Sequence, residues 1–272
     1  VRKRNPYFGV TGIMGVMQAH AVVQAFGKAW GGATPTHDLM LGALVSSKTL
    51  SGRGNKYPLR YPELSAIRAC FIRAPGVINL VHYATGGATG SALCTDMENA
   101  MAYGGIACDG IQINAVWPDH GAVRALRQFS PEGRARRIVL QIGPGALEEM
   151  LYNPEAIAKR VARDYTRSVT DVLVDVSGGR GIAVDEANRA KLNSLLRDLV
   201  IMGDWTVGMA GGLDGEALRH PETRAAWRQH LLAGGSIDAE GRLRDGAKGG
   251  GNLDKARVLG YLQAAADLVT GQ

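Results

Sequence analysis

The amino-acid sequence predicts a closed (β/α)8 barrel. Short apolar runs alternate with helix-period stretches from one end of the chain to the other,. Parallel strands need a crossover between them, and here each run is followed by a helical pattern that can supply one. The length of 272 residues stands close to the roughly 250 common for such barrels. An open doubly wound sheet is the competing architecture. It lacks support, because Gly12-Ile13-Met14-Gly15-Val16-Met17 after the first run is not a dinucleotide-binding fingerprint,.

The eight runs are 7–14, 39–45, 77–84, 110–117, 137–142, 171–176, 205–210 and 236–243, the last being the weakest. Helices are expected over 16–30, 62–71, 91–103, from Asp119, in two pieces around Pro154, over 184–202, over 215–232, and from Asn252 to 269. Asp119 and Asn252 read as N-caps, and Asn153-Pro154 as a cap followed by the first helical position. Ala122, Leu126 and Phe129 share one face of the fourth helix,. No stretch rich in proline, serine or charge divides the chain, so one domain is expected over 1–272.

Composition is that of a globular protein, 46% hydrophobic and 21% charged,. The net charge of +6 favours anionic partners. A phosphorylated small molecule fits this better than nucleic acid, since no aromatic-interleaved RNA-binding motif is present. Two basic groups stand out, Arg124, Arg127, Arg134, Arg136 and Arg137, and Lys48, Arg53, Lys56 and Arg60. The first reads as solvated helix and loop surface. No apolar run reaches the 18 residues of a membrane span,. The basic stretch Val1–Asn5 leads into only a short apolar run, unlike a signal peptide,. Cys70, Cys94 and Cys108 are odd in number and far apart, which suits reduced thiols in a cytoplasmic setting,.

In this architecture the chemistry sits at the C-terminal ends of the strands. The sixth run ends Leu173-Val174-Asp175-Val176-Ser177-Gly178-Gly179-Arg180-Gly181, and the seventh ends Met209-Ala210-Gly211-Gly212-Leu213-Asp214. Glycines there let backbone N–H groups approach an anion. Gly178, Gly179, Gly181, Gly211 and Gly212 are therefore candidate phosphate contacts. Asp175 is a candidate general acid or base, because a partly desolvated carboxyl can hold a proton. Its alternative roles are an N-cap or a partner for Arg180. His82, near the end of the third run, has a ring suited to proton transfer. Its alternative is a satisfied strand histidine.

These segments resemble phosphoribosylanthranilate isomerase of tryptophan biosynthesis, which carries Leu-Leu-Asp, then Gly-Gly-Thr-Gly, then Ser/Ala-Gly-Gly-Leu. Val10-Thr11-Gly12-Ile13 is similar to its first strand, Ile-Cys-Gly-Ile. Asp109-Gly110-Ile111-Gln112-Ile113-Asn114 is similar to its Val-Gln-Leu-His strand, and Asn252-Leu253-Asp254-Lys255 to the Lys-Asp opening its last helix. The likeness runs in order along nearly the whole chain through short motifs.

The resemblance implies ring opening and isomerisation of a phosphoribosyl amine without a cofactor. Asp175 falls at the family's general acid. Thr11 falls at its cysteine base and has no anionic form near neutrality to replace a thiolate. Gln112 and Asn114 fall on a substrate-facing strand, where Asn114 could orient a hydroxyl. Lys48 is the cation nearest to the family's carboxylate-binding arginine, and Asp238-Ala239-Glu240-Gly241-Arg242 replaces its Asp-Val-Ser-Ser-Gly-Val-Glu. There Glu240 would repel a phosphate and Arg242 could compensate. An isomerase of this type, a different enzyme on the same phosphate-binding barrel (an epimerase, aldolase or lyase), and a non-catalytic binder of phosphorylated ligands stay open. A homodimer is the assembly left open.

Overall fold

The computed structural model describes residues 4–128, 136–177, 186–246 and 250–271. Eight parallel strands close into a barrel in the order β1 to β8. They are β1 (Tyr7–Thr11), β2 (Asp38–Ser46), β3 (Val77–Ala84), β4 (Gly110–Asn114), β5 (Arg137–Ile142), β6 (Asp171–Asp175), β7 (Thr206–Ala210) and β8 (Ser236–Ala239). Closure is made by β1 pairing with β8, Phe8 opposite Ile237 and Gly9 opposite Asp238.

Around the sheet run α1 (Val16–Ala29), α2 (Ser47–Leu50), α3 (Gly90–Gly104), α4 (His120–Gln128), α5 (Pro144–Glu149), α6 (Pro154–Tyr165), α7 (Glu186–Met202), α8 (Gly215–Arg219), α9 (Pro221–Leu232) and α10 (Lys255–Thr270). Among the described residues, no helix is long and apolar enough to cross a membrane. Asp119 and Asn153 cap as expected, accepting from the backbone N–H of Ala122 and Ala156. Phe129 lies outside the described residues.

Three expectations are corrected. The helix expected over 62–71 is present but shorter, a 3-10 helix over Leu64–Cys70. The helix expected over 215–232 is broken in two, because Pro221 has no N–H to continue the first piece and opens the second,. The last helix is capped by Asp254, whose carboxylate accepts from the N–H groups of Ala256 and Arg257, and not by Asn252.

Strand side chains alternate between two environments. Phe8, Leu39, Leu41, Val81, Ile111, Leu140 and Val174 pack outward under the helices. Inside the barrel a smaller apolar layer joins Tyr7, Met40, Ile78, Leu80, Val139 and Leu173. Beneath it Arg137 donates to Asp171 through both Nε, at 3.0 Å, and Nη2. The Arg137 guanidinium also lies 4.8 Å over the Tyr7 ring. Arg137 is thus 2% exposed and belongs to the barrel interior, which corrects its place in a solvated basic surface. Reading upward along β5 and β6, a charged pair gives way to Val139 and Leu173, and then to Gln141 and Asp175.

A buried ion pair is costly to break from one side, because the remaining charge has no solvent. Asp171→Ala should lower stability by about 3–5 kcal/mol, read as a shift in the urea unfolding midpoint. A loss below about 1 kcal/mol, typical of surface pairs, would show that the pair is not what plugs the barrel base.

Candidate active site at the C-terminal ends of the strands

The top interior layer is polar. Thr11 of β1, His82 of β3, Gln112 of β4, Gln141 of β5, Asp175 of β6 and Asp238 of β8 are all buried. They line one cavity of about 250 Å³ together with Asn114, Ser177, Gly211, Gly212, Glu240 and Arg242. Six buried polar side chains in one layer replace the branched apolar residues that commonly fill a barrel. Such a layer costs stability unless its groups pair with one another or with a ligand.

Much of it is paired. Gln112 Nε2 donates to Gln141 Oε1 at 3.1 Å, and Gln141 Nε2 donates to Asp175 Oδ2 at 2.9 Å. Asp175 Oδ1 accepts from both the backbone N–H and the hydroxyl of Ser177, each at 2.9 Å. Three donors therefore point at this carboxylate. Across the cavity, Thr11 Oγ1 lies 2.8 Å from Asp238 Oδ1 and 3.4 Å from His82 Nδ1.

Two glycines make this packing fit. A Cβ on Gly9 would come within 2.6 Å of Asp238 Oδ1, and one on Gly42 within 2.7 Å of Thr11 Oγ1 and 2.8 Å of His82 Nε2. Three polar side chains thus occupy space that any larger residue would take. Two polar atoms of the layer, His82 Nε2 and Gln112 Oε1, have no hydrogen-bond partner among the described residues.

The two carboxyls have different surroundings. Burial pushes Asp238 up to about 8, and the nearby charges of Glu240 and Asp175 act in the same sense. The Thr11 hydroxyl and Gln112 amide pull the other way and do not prevail. Burial also draws His82 down to about 3, so the imidazole is neutral near pH 7. His82 Nδ1 and Asp238 Oδ2 are 4.0 Å apart. At neutral pH this is a contact between two largely uncharged groups and not an ion pair.

The mouth is walled by an excursion between β2 and β3. Tyr57, Arg60 and Tyr61 line the cavity. Arg60 pairs with Glu240 at 2.6 Å, and Arg244 Nη1 donates to the Leu59 carbonyl at 3.1 Å. Glu240 faces the cavity as feared, but its charge is neutralised by Arg60, with the buried Arg244 Nε 3.8 Å away. Arg242 also lines the cavity; it pairs with Asp214 at 2.9 Å and donates to the Gly212 carbonyl at 3.2 Å.

Of the residues selected from sequence, Thr11, His82, Gln112, Asn114, Asp175, Gly211, Gly212 and Arg242 meet in this cavity. Gly211 and Gly212 take positive φ, 115° and 64°, as a tight turn requires,. The following helix, α8, has only five residues, and the Asp214 carboxylate already caps it by accepting from Ala217 N–H. Lys48 is exposed on α2 and is not among the lining residues; Arg60 is the cation on that side. Gly178, Gly179 and Gly181 lie outside the described residues, as does Arg180. Cys108, bonded to the Gly110 carbonyl at the entry to β4, is pushed up to about 12 by burial, so it offers no thiolate.

Asp238, Gln141, Arg60 and Tyr57 were not selected from sequence. Asp238 had a signal, since it opens the stretch that replaces Asp-Val-Ser-Ser-Gly. Gln141 had one in the period-two series Arg137, Val139, Gln141. Arg60 had one in the basic group it forms with Lys48, Arg53 and Lys56, and Tyr57 had none beyond lying in a long polar segment.

No protein-family model and no curated protein matches the chain. Solved structures do. The catalytic domain of a hyperthermophilic chitinase from Pyrococcus furiosus superposes with TM-score 0.54 at 14% identity, over 97% of both chains. Octameric Rubisco from Pyrococcus horikoshii OT3 gives TM-score 0.54 at 14% identity, over 98% of this chain and 60% of the Rubisco chain. A protein from Aquifex aeolicus VF5 gives TM-score 0.52 at 11% identity, over 98% of this chain and 94% of its own. At such identities the likeness establishes the (β/α)8 barrel fold alone.

The sign of the Asp238 contribution can be checked by stability. Its folded pKa is raised, to about 8, against roughly 3.9 in an unfolded chain. Between these values the folded state holds a proton that the unfolded state has released, so stability falls as pH rises. Asp238→Asn should remove that loss and be more stable than the parent at pH 8.5, with the advantage shrinking toward pH 4. Equal midpoint shifts at both pH values would contradict a proton-bearing Asp238.

Proposed function

We propose that this cavity is the active site of an acid–base isomerase acting on a small phosphorylated sugar derivative, of the phosphoribosylanthranilate isomerase type. One observation carries the reading. Two carboxyls with opposite surroundings face one small cavity at the C-terminal ends of β6 and β8. A carboxyl that keeps its proton beside a second carboxyl held by hydrogen-bond donors gives one site both a group to donate and a group to accept.

The surroundings suggest which does which. Asp238 keeps its proton near neutrality and is the donor. Asp175, at which three hydrogen-bond donors point, is the acceptor. This reverses the role that the resemblance carries to Asp175, and it leaves Thr11 without the duty of a base. For a phosphoribosyl amine, the donated proton goes to the ring oxygen as the C1–O bond breaks. The nitrogen lone pair then forms an iminium. Asp175 takes the proton from C2, and the electrons of that C–H bond form a C1=C2 double bond and neutralise the iminium. The enolamine so formed rearranges to the amino-ketose.

Support for a phosphate is more modest. Gly211 and Gly212 supply a backbone turn and Arg242 a guanidinium beside it,. Asp214 holds that guanidinium in place, at the cost of part of its charge. Arg60, half-buried against Glu240 and 5.5 Å over the Tyr57 ring, offers a second cation at the mouth.

Turnover of phosphoribosylanthranilate, followed by loss of its fluorescence, is the direct test. Asp175→Asn and Asp238→Asn should each lower kcat by about 10²–10⁴-fold with little change in KM. The parent rate should fall as pH rises through about 8, because the donor form of Asp238 is lost. Orthophosphate or ribose 5-phosphate at millimolar concentration should raise Tm. Absence of both turnover and thermal protection would sink the proposal; protection without turnover would keep the phosphate site and reject the reaction.

A further inference from the structure

Thr11 Oγ1 stands between an acid and a ring nitrogen. It is 2.8 Å from Asp238 Oδ1 and 3.4 Å from His82 Nδ1, while Nδ1 and Asp238 Oδ2 are 4.0 Å apart. A hydroxyl has one hydrogen to give and lone pairs to accept with, so it can donate to only one of these neighbours at a time. Neutral imidazole likewise carries one hydrogen, on either nitrogen. These two restrictions tie the three groups together.

When Asp238 is ionised it can only accept. The Thr11 hydrogen then points to Oδ1, the Thr11 oxygen accepts from Nδ1–H, and Nε2 carries a lone pair. When Asp238 is protonated and donates to the Thr11 oxygen, the hydroxyl hydrogen turns to Nδ1, and the imidazole hydrogen sits on Nε2. We propose that Thr11 is a proton relay that couples the protonation of Asp238 to the tautomer of His82.

The transfer balances. As Asp238 ionises it passes its proton to Thr11, Thr11 passes its hydrogen to Nδ1, and the Nε2 proton is released. Threonine and histidine each lose one hydrogen and gain one, and Asp238 ends as a carboxylate. Neither relay member becomes charged, which suits an imidazole whose burial disfavours its cation. His82 lines the cavity, while its Nε2 is buried against Gly42 and has no partner among the described residues. Gly42 provides the space in which Thr11 Oγ1 and Nε2 lie. The other groups acting on Asp238 are Gln112, Glu240 and Asp175 around the cavity, and Tyr7 and Tyr261 in the barrel and helix layers. The Gln112 amide is the competing hydrogen-bond partner of Asp238; if it alone responds to ionisation of Asp238, the His82 tautomer does not change.

The coupling does not rest on the isomerase reading and is measured without substrate. Protein labelled with ¹⁵N in its histidine rings is titrated from pH 6 to pH 10, with His82 assigned by loss of its signals in His82→Gln. The ring-nitrogen shifts should move from the Nε2–H to the Nδ1–H tautomer with a midpoint near that of Asp238, without an imidazolium signal. Thr11→Val should abolish the change and Thr11→Ser should keep it. Asp238→Asn should hold one tautomer throughout, and it serves if Thr11→Val does not fold. A single His82 tautomer across the whole range in the parent, or a switch that survives in Thr11→Val, would overturn the relay. Either result leaves the isomerase assignment to its own turnover assay.

Discussion

Closing the sheet is the constraint on which the rest of the molecule depends. β8 must pair with β1, and the register sets Asp238 beside Gly9. The seam brings Thr11 and Asp238, which are 227 positions apart, to within a hydrogen bond. The carboxyl can enter the interior because Gly9 has no side chain to occupy that space. An open sheet of the same strands would leave Asp238 on an edge in water, with an ordinary carboxyl's acidity. The proton-holding character of the residue is thus a property of the closure and not of the strand that carries it.

The interior is graded along the barrel axis. Arg137 and Asp171 close the bottom as a buried pair, a short apolar layer follows, and the uppermost layer is polar around a cavity. The lower charges satisfy each other, so they can be buried without a ligand. The upper layer is incompletely satisfied, with His82 Nε2 and Gln112 Oε1 left over. Mutually satisfied charges lie at one end of the barrel and unmet hydrogen-bonding capacity at the other.

Much of the architecture was legible because alternation of strand and helix is a local signal. The eight strands fall where the apolar runs lie: β3 and β5 coincide with theirs, β2 is one residue longer at each end, and β1, β4, β6, β7 and β8 are shorter. The failures were equally physical. Pro221 splits a helix that periodicity alone would continue, and Asp254 outcompetes Asn252 as cap because it stands one residue before the helix. Arg137 looked like surface charge because its partner, Asp171, lies 34 positions away. In the site, Asp175 and His82 were found from their places at strand ends, and Thr11 from the family resemblance. Asp238 was passed over, because what distinguishes it is its burial between β1 and β8, and no local pattern reports that. Lys48 was chosen for charge and position, but its short helix turns it to solvent while the chain beyond it returns with Arg60.

The excursion between β2 and β3 has a consequence of its own. The polar ring is carried by strands, whose geometry the barrel dictates. The wall at the mouth is carried by Tyr57, Arg60 and Tyr61 on a segment held down by Glu240 and Arg244. The polar ring and the wall at its mouth therefore belong to separately mutable pieces of chain. Insertions or substitutions in that excursion would remodel the entrance while leaving the ring untouched, so descendants of this barrel can change the shape of the opening without rebuilding the polar layer beneath it.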